Sequence, residues 1–258
     1  MTAGDTSADH GAILGTTWLK AVIAGLPPLV IYTATASGFA HWFDSGEFVA
    51  AAADFGISHP PGQPLAAIVL GAANLLPLGP LAFRMALLCA LFNTFAVVAM
   101  TFAIERTFRA GDAIKPSLCF PIALAAAWWV GGTYAWWFQA VRPEVYAIQA
   151  ALLAFAIERL VRVSFEGPEG DVRPLFHAAL AFGLALANHH FIALLALMPA
   201  LWLLIGIQKT FGWRPIGWSS VFVGAGLLTY LFLPIRALEE PVLNLGDPSS
   251  LGRFWWVV

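Results

Sequence analysis

The chain has 258 residues, of which 60% are hydrophobic and only 11% are charged, and its formal net charge is −2. Soluble domains carry about 25% charged residues. This composition excludes a soluble globular domain and a disordered chain, and the near-neutral charge argues against a nucleic-acid partner. It predicts an all-α, multi-pass membrane protein that has the lipid bilayer as its first partner.

The N-terminal residues 1–17 are small and polar, and they predict a disordered tail ahead of one transmembrane domain over 18–258. The first apolar run, 18–39, has neither a basic segment before it nor a convincing cleavage site. We therefore interpret it as a retained membrane span rather than a signal peptide.

Seven further apolar runs follow along the chain. They are 64–76, 81–104, 117–138, 145–161, 175–187, 191–207 and 218–234. A helix needs about 20 residues to cross the roughly 30 Å hydrocarbon layer. The run 64–76 is too short for this, and we predict that it does not cross.

The distribution of charge supports this interpretation. If 64–76 crossed, loop 40–63 and loop 105–116 would lie on the same side. The first loop has no Lys or Arg, whereas the second has three, and basic loops favour the cytoplasmic side. The seven-span alternative places nine cations inside and four outside. The inside cations are Lys20, Arg106, Arg109, Lys115, Arg159, Arg162, Arg173, Lys209 and Arg214.

The first outside loop, 41–65, predicts two short helices that lie in the interface plane. Asp44 followed by Glu47 resembles a capping box and indicates a helix over 46–55. Gly56 is expected to end that helix. Pro60 and Pro61 are expected to begin the second one, since proline is tolerated in a first turn.

The outside face also collects most of the unusual polar residues. Ionisable groups near hydrocarbon are costly, and a cluster of them is a functional hypothesis by default. Each residue also has a purely structural interpretation, such as a helix cap, a local ion pair, an interface anchor or a turn. The candidate site residues are Asp44, Glu47, His59, Arg142, Glu144, Asn188, His189, Arg236 and Asp247.

Five motifs occur in an order that resembles a known family. They are DSGEF at 44–48, ISHPPGQPL at 57–65, VRPEVYAIQ at 141–149, GLALANHH at 183–190 and LPIRALEEPVLNLGDP at 233–248. Together they resemble the family of the transmembrane, plexin-type protein O-mannosyltransferase and its bacterial relatives. The resemblance covers 18–258, and that family in turn resembles the GT-C glycosyltransferases.

The resemblance implies a GT-C-like module of seven spans with two juxtamembrane helices in the first outside loop. Such enzymes transfer a sugar, mannose in this family, from a polyprenyl-phosphate donor to a protein or glycan acceptor at the non-cytoplasmic face. Asp44 matches the catalytic acid of the family, and a carboxylate there can act as general base. Arg142 and Arg236 are candidates to neutralise the lipid phosphate, with Arg236 favoured because it lies at the bilayer edge.

The remaining expectations concern the other ligands. His59, Asn188 and His189 are expected to hydrogen-bond the sugar or the phosphate. No cofactor is expected to be required, although Asp44, Glu47 and Asp247 offer oxygen ligands for a divalent metal. The style of the sequence indicates a bacterial inner-membrane protein with its site facing the periplasm.

Two alternatives to a glycosyltransferase stay open. GT-C proteins continue beyond the shared module, whereas this chain stops at Val258, so we expect its C-terminal end to be truncated. This keeps a non-catalytic membrane scaffold or degenerate enzyme as an alternative. A solute transporter is disfavoured, because transporters place polar groups near mid-bilayer and the charges here lie at span ends.

Overall fold

The computed structural model describes residues 5–40, 43–165 and 169–258. All regular elements in these ranges are helical, which confirms the all-α prediction. Short 3-10 turns follow α3 and α10. The helices are α1 (Asp5–Ala34), α2 (Ser45–Asp54), α3 (Pro64–Gly71), α4 (Leu81–Ala110), α5 (Pro116–Gly131), α6 (Tyr134–Ala140), α7 (Tyr146–Ser164), α8 (Arg173–Leu195), α9 (Leu197–Phe211), α10 (Trp213–Leu227), α11 (Phe232–Ala237) and α12 (Leu251–Val257).

Four helical segments of the described residues are long and apolar enough to cross a membrane. They are Thr16–Ala34, Leu81–Ala110, Arg173–Leu195 and Trp213–Ala237. A fifth would be α5 together with α6, which meet at an angle of 73°. The structure thus confirms a multi-pass helical protein and, by length and composition, four or five of the predicted spans.

Helices α1 and α4 pack against each other in opposite directions. Near one end, Lys20 of α1 bonds to Glu105 of α4, and near the other, Tyr32 shares a buried cluster with Ala90. The chain between them, 35–80, therefore leaves and re-enters the bundle at the same end, as predicted for a segment that does not cross. We call this the site end, and the end that holds Lys20 and Glu105 the basic end.

Helix α1 contains Pro27 and Pro28, and a neighbouring helix compensates for the missing backbone donor. Pro28 has no N–H, so the carbonyl of Ala24 loses its partner within the helix. The indole Nε1 of Trp128 donates to that carbonyl at 2.9 Å. Tyr32 makes a second bond between these helices, since its hydroxyl donates to the carbonyl of Gly131 at 2.7 Å. These two bonds join α1 to α5.

The centre of the bundle is formed by α4, α7, α8 and α10. Glycines allow α8 and α10 to approach backbone to backbone. A Cβ added at Gly226 would lie 2.5 Å from the nitrogen of Leu184 and 2.6 Å from the carbonyl carbon of Gly183. The hydroxyl of Tyr230 adds a bond to the carbonyl of Leu186 at 3.0 Å. Small residues at such crossings are typical of membrane helix packing.

Several predicted boundaries differ from the structure. Helix α1 already begins at Asp5, so residues 5–17 of the predicted tail are helical, whereas residues 1–4 lie outside the described residues. Helix α2 covers Ser45–Asp54 and ends at Phe55, whose left-handed conformation closes the last turn in place of Gly56.

The beginning of α3 also differs, whereas the interruption of α8 agrees with the sequence. Pro64, rather than Pro60 and Pro61, occupies the first turn of α3, because Gly62 and Gln63 both have positive φ and still belong to the preceding turn. Helix α8 is broken at His189, whose extended backbone (φ −159°, ψ 91°) separates two helical segments. This break falls between the apolar runs 175–187 and 191–207, where the sequence also divides them.

The close contact of α8 with α10 predicts a position-specific cost. We expect Gly226→Ala to destabilise the protein by about 1–3 kcal/mol, because the added methyl group meets backbone that cannot move aside. Gly224→Ala is the matched control on the same helix, since its Cβ would meet nothing within 4 Å. Thermal melts in the same detergent test this, and equal melting temperatures for the two variants would contradict it.

Candidate active site

The first helix of the site end presents a carboxylate that the helix itself does not use. Asp44 occupies the N-cap position of α2, where its carbonyl accepts a bond from the N–H of Phe48 at 2.9 Å. Its side chain makes no capping hydrogen bond and is exposed. The predicted capping box is therefore wrong, and the exposed carboxylate of Asp44 is accessible to a ligand.

Glu47 bonds to the loop that follows α2. One of its oxygens, Oε1, accepts from the backbone N–H of His59 at 2.6 Å and lies 2.9 Å from the ring Nδ1. This pair holds the His59 ring in place and favours a proton on Nδ1, which leaves Nε2 as an acceptor. Nε2 lies 3.4 Å from the amide nitrogen of Gln63. The loop of 57–63 is thus fixed against α2.

Asp44, Glu47 and His59 form a compact group in which one ligand atom from each lies within 4.8 Å of the others. Among the described residues, no other three side chains of His, Cys, Asp or Glu bring their ligand atoms within 4.8 Å of one another. This group does not contain Asp247, which the sequence analysis had grouped with the two acids. A divalent ion there would compete with the existing bond between Glu47 and His59.

A buried ion pair lies directly behind Asp44. Arg142 and Glu144 are 4% and 1% exposed, and their charged groups meet at 2.7 Å. Arg142 also donates to the hydroxyl of Ser45 at 3.1 Å and to the side-chain oxygen of Gln139 at 3.0 Å. Its guanidinium carbon lies 4.3 Å from the centre of the Phe138 ring. Arg142 therefore connects α2, α6 and the start of α7.

The environment of Glu144 changes its acidity. Burial raises the pKa of Glu144 to about 7, the charge of Arg142 opposes this rise, and the negative charge of Asp44 adds to it. Its second oxygen, Oε2, is buried and has no hydrogen-bond partner among the described residues. Near neutral pH this carboxyl thus changes charge next to Arg142.

Helices α7 and α8 complete the cluster. Asn188 is fully buried, and its amide donates to the carbonyl of Val145 at 3.0 Å and to the side chain of Gln149 at 2.9 Å. His189 lies at the bend of α8, with its ring centre 5.8 Å from that of Tyr146 and close enough to His59 for electrostatic interaction. Asn188 therefore ties α8 to α7, whereas His189 faces the candidate site.

The two C-terminal candidates occupy a different part of the site end. Arg236 donates to the carbonyls of Phe55 at 3.0 Å and Asp54 at 2.7 Å, and it pairs with Glu239. These bonds satisfy the last carbonyls of α2. Asp247 pairs with Arg253. The structure thus gives Arg236 and Asp247 partners within the C-terminal segment and at the end of α2.

An apolar groove of about 590 Å³ extends from this cluster between α4, α6, α7 and α8. Gln139 and Tyr146 line it, and Gln139 is the acceptor of the bond from Arg142. Most of the remaining lining is apolar: Met100, Ala103, Ala135, Trp136, Ala150, Leu153, Ala154, Ile157 and Ile192. The groove therefore begins beside Arg142 and its partner Gln139 and continues as an apolar surface along the bundle.

Sequence reasoning missed several of these residues. Ser45, Tyr146 and Gln149 were not among the candidates, although all three lie inside the quoted motifs or directly beside a candidate. Gln149 carried a usable signal, because a polar side chain one turn into an apolar helix needs a buried partner.

Comparison with known proteins identifies the family of the chain. The family model described as the N-terminal domain of protein O-mannosyl-transferase TMEM260 matches residues 44–211. The mouse protein O-mannosyl-transferase TMEM260 is 28% identical over 250 residues, which are 95% of this chain and 33% of the mouse protein. No solved structure matches the chain.

The match to the family model begins at Asp44. It includes the loop after α2 that carries His59, the Arg142–Glu144 pair and the bend at His189. The chain spans about a third of the length of its mouse relative. By its sequence, the chain belongs to the family of the TMEM260 N-terminal domain.

Proposed function

We propose that the chain is a membrane glycosyltransferase that moves a sugar from a polyprenyl-phosphate carrier to an acceptor hydroxyl. The observation that carries this proposal is the meeting of a carboxylate, a buried arginine and an apolar groove at one end of the bundle. The mouse relative is named a protein O-mannosyl-transferase, which supports mannose as the sugar and a protein as the acceptor.

Asp44 is the proposed general base. Its carboxylate is exposed, and it does not cap α2. In the reaction, the acceptor hydroxyl gives its proton to Asp44 while its oxygen bonds to the anomeric carbon of the sugar. The bond from that carbon to the phosphate oxygen breaks, and the electron pair stays on the polyprenyl phosphate. A phosphate leaving group needs little protonation, so a base suffices.

Arg142 is the proposed partner of the phosphate. It lies behind Asp44, and its fork of donors matches phosphate oxygens. Arg236, which the sequence analysis favoured for this role, instead caps the carbonyl end of α2. In this proposal, protonation of Glu144 leaves the charge of Arg142 available to the phosphate, because a neutral carboxyl no longer balances it.

The groove is the proposed location of the isoprenoid chain. A lipid phosphate bound by Arg142 would place the first isoprenoid units at Gln139 and Tyr146, where the groove begins. The apolar lining then continues along α7 toward Ile157. Because the bilayer already shields this chain from water, the groove would hold it by van der Waals contacts with its lining.

The proposed membrane arrangement follows the GT-C layout. In it α7 and α9 cross together with the candidate spans, which gives seven crossings, and α2 and α3 lie in the interface. The basic end faces the cytoplasm, as the positive-inside rule expects. The site end then faces the non-cytoplasmic side, which is the periplasm in a bacterial inner membrane.

The proposal predicts that Asp44→Asn lowers sugar transfer by about 10²–10⁴-fold, because the acceptor loses its base. Binding of the polyprenyl-phosphate donor should stay near the wild-type value. The measurement is transfer and release of radiolabelled sugar from purified protein in lipid nanodiscs, with Asp112→Asn as the control for the same chemical change elsewhere. Full turnover in Asp44→Asn would contradict the assigned base. If the wild-type protein itself binds the donor but gives no turnover, the non-catalytic alternative is favoured.

The two arginines should behave differently when their side chains are shortened. Arg142→Gln combined with Glu144→Gln removes both buried charges and avoids leaving one unpaired. We expect donor binding to weaken about tenfold to a hundredfold, since a hydrogen bond to a charged group is lost. Arg236→Gln should lower thermal stability but keep donor affinity. If Arg236→Gln instead weakens donor binding while the double variant at Arg142 and Glu144 keeps it, the phosphate is assigned to Arg236.

Donor binding should also depend on pH through Glu144. Below its pKa of about 7 the carboxyl is neutral and Arg142 attracts the phosphate, whereas above it the carboxylate balances Arg142. Affinity for a sugar phosphodiester donor, which keeps one charge throughout, should therefore fall as pH rises from 6 to 8. Glu144→Gln should remove this dependence. Binding is measured without an acceptor, so that Asp44, whose charge also acts on the pKa of Glu144, stays in place. An unchanged pH profile in Glu144→Gln would refute the coupling.

A further inference from the structure

A second polar pocket lies at the basic end, at the opposite end of α1 and α4 from the candidate active site. It has a volume of about 220 Å³ and lies between the middle of α1, where the candidate span Thr16–Ala34 begins, and the end of α4. Three cations, one carboxylate, one hydroxyl and one aromatic ring form its lining: Thr17, Lys20, Phe102, Glu105, Arg106 and Arg109.

The positive charges in and beside this pocket outnumber the negative ones. Glu105 is 5% exposed and accepts from Lys20 at 2.5 Å and from Arg109 at 2.9 Å. Arg106 lies 3.8 Å from Glu158, which also pairs with Arg159. Among the described residues, four cations thus contact two carboxylates, and three of these cations line the pocket beside one carboxylate.

The depth of the pocket is that of a lipid headgroup. Trp18 precedes the pocket on α1 and is 71% exposed, as expected for an aromatic anchor at a membrane interface. Val22, one turn further into α1, is 53% exposed on the apolar surface of the bundle. Lys20 lies between them, so the charged side of the pocket is at the boundary of headgroups and hydrocarbon.

We propose that this pocket binds the phosphodiester headgroup of an anionic phospholipid from the surrounding leaflet. Lys20, Arg106 and Arg109 provide charge and donors for the phosphate oxygens. Phe102 provides an apolar surface for the glycerol and the first methylenes. Basic pockets between membrane helices bind anionic headgroups by this combination of charge and depth. This site is independent of the proposed transfer reaction.

The test is lipid retention by the purified chain. Protein in mixed micelles is titrated with phosphatidylglycerol or phosphatidylcholine, and bound lipid is measured by native mass spectrometry. We expect wild type to retain phosphatidylglycerol in preference to phosphatidylcholine. Arg106→Gln with Arg109→Gln should weaken phosphatidylglycerol binding about thirtyfold, because each cation near the surface contributes about a factor of five.

A matched control removes two cations from the same end but from other helices. Lys209→Gln with Arg214→Gln should leave phosphatidylglycerol retention near that of wild type. Equal losses in both double variants would overturn the proposal, as would a wild type without preference for phosphatidylglycerol. Displacement of the lipid by inorganic phosphate would also overturn it, because the site would then belong to a soluble anion.

The single variants guard against failure to fold. Arg106→Gln and Arg109→Gln each keep the bond between Lys20 and Glu105, and each should give an intermediate loss of phosphatidylglycerol binding. Circular dichroism melts identify a variant that is unfolded. If both single variants are folded and retain wild-type lipid binding, the proposal is wrong.

Discussion

The buried pair of Arg142 and Glu144 is the interaction on which the site end depends. Two charged groups with almost no exposure are costly unless they neutralise each other, as Arg142 and Glu144 do at 2.7 Å. Arg142 also bonds to Ser45 and Gln139, so the positions of α2, α6 and the start of α7 are linked. The position of Asp44 follows, because it directly precedes Ser45 at the beginning of α2.

Two further constraints hold the outer helices around this pair. Glu47 fixes the loop that carries His59, and Arg236 satisfies the carbonyl end of α2 from the C-terminal segment. Helix α2 is thereby held at both ends, although it is short and lies outside the main bundle. The position of Asp44 therefore depends on bonds from His59, Arg142 and Arg236. The motifs that contain these residues are accordingly spread along most of the chain.

The two ends of the bundle use charge in different ways. At the site end, a buried pair with a carboxyl near its titration point is suited to receiving an anion that arrives with a lipid. At the basic end, cations from α1, α4 and α7 contact Glu105 and Glu158, and we propose that they receive a lipid headgroup. The first arrangement fits a substrate that must be released after each reaction, and the second fits a lipid that stays bound.

The sequence by itself determined the membrane class, the all-helical fold, the short segment that does not cross and the group of polar residues at one end. These properties follow from hydrophobic runs and from the placement of Lys and Arg, which are local. Only the tertiary structure decided which of those polar residues meet. It brought His189 toward His59, gave Arg236 a structural role at α2, and showed Ser45 and Gln139 as partners of Arg142. Such contacts depend on how helices pack, and helix packing joins residues that no local pattern connects.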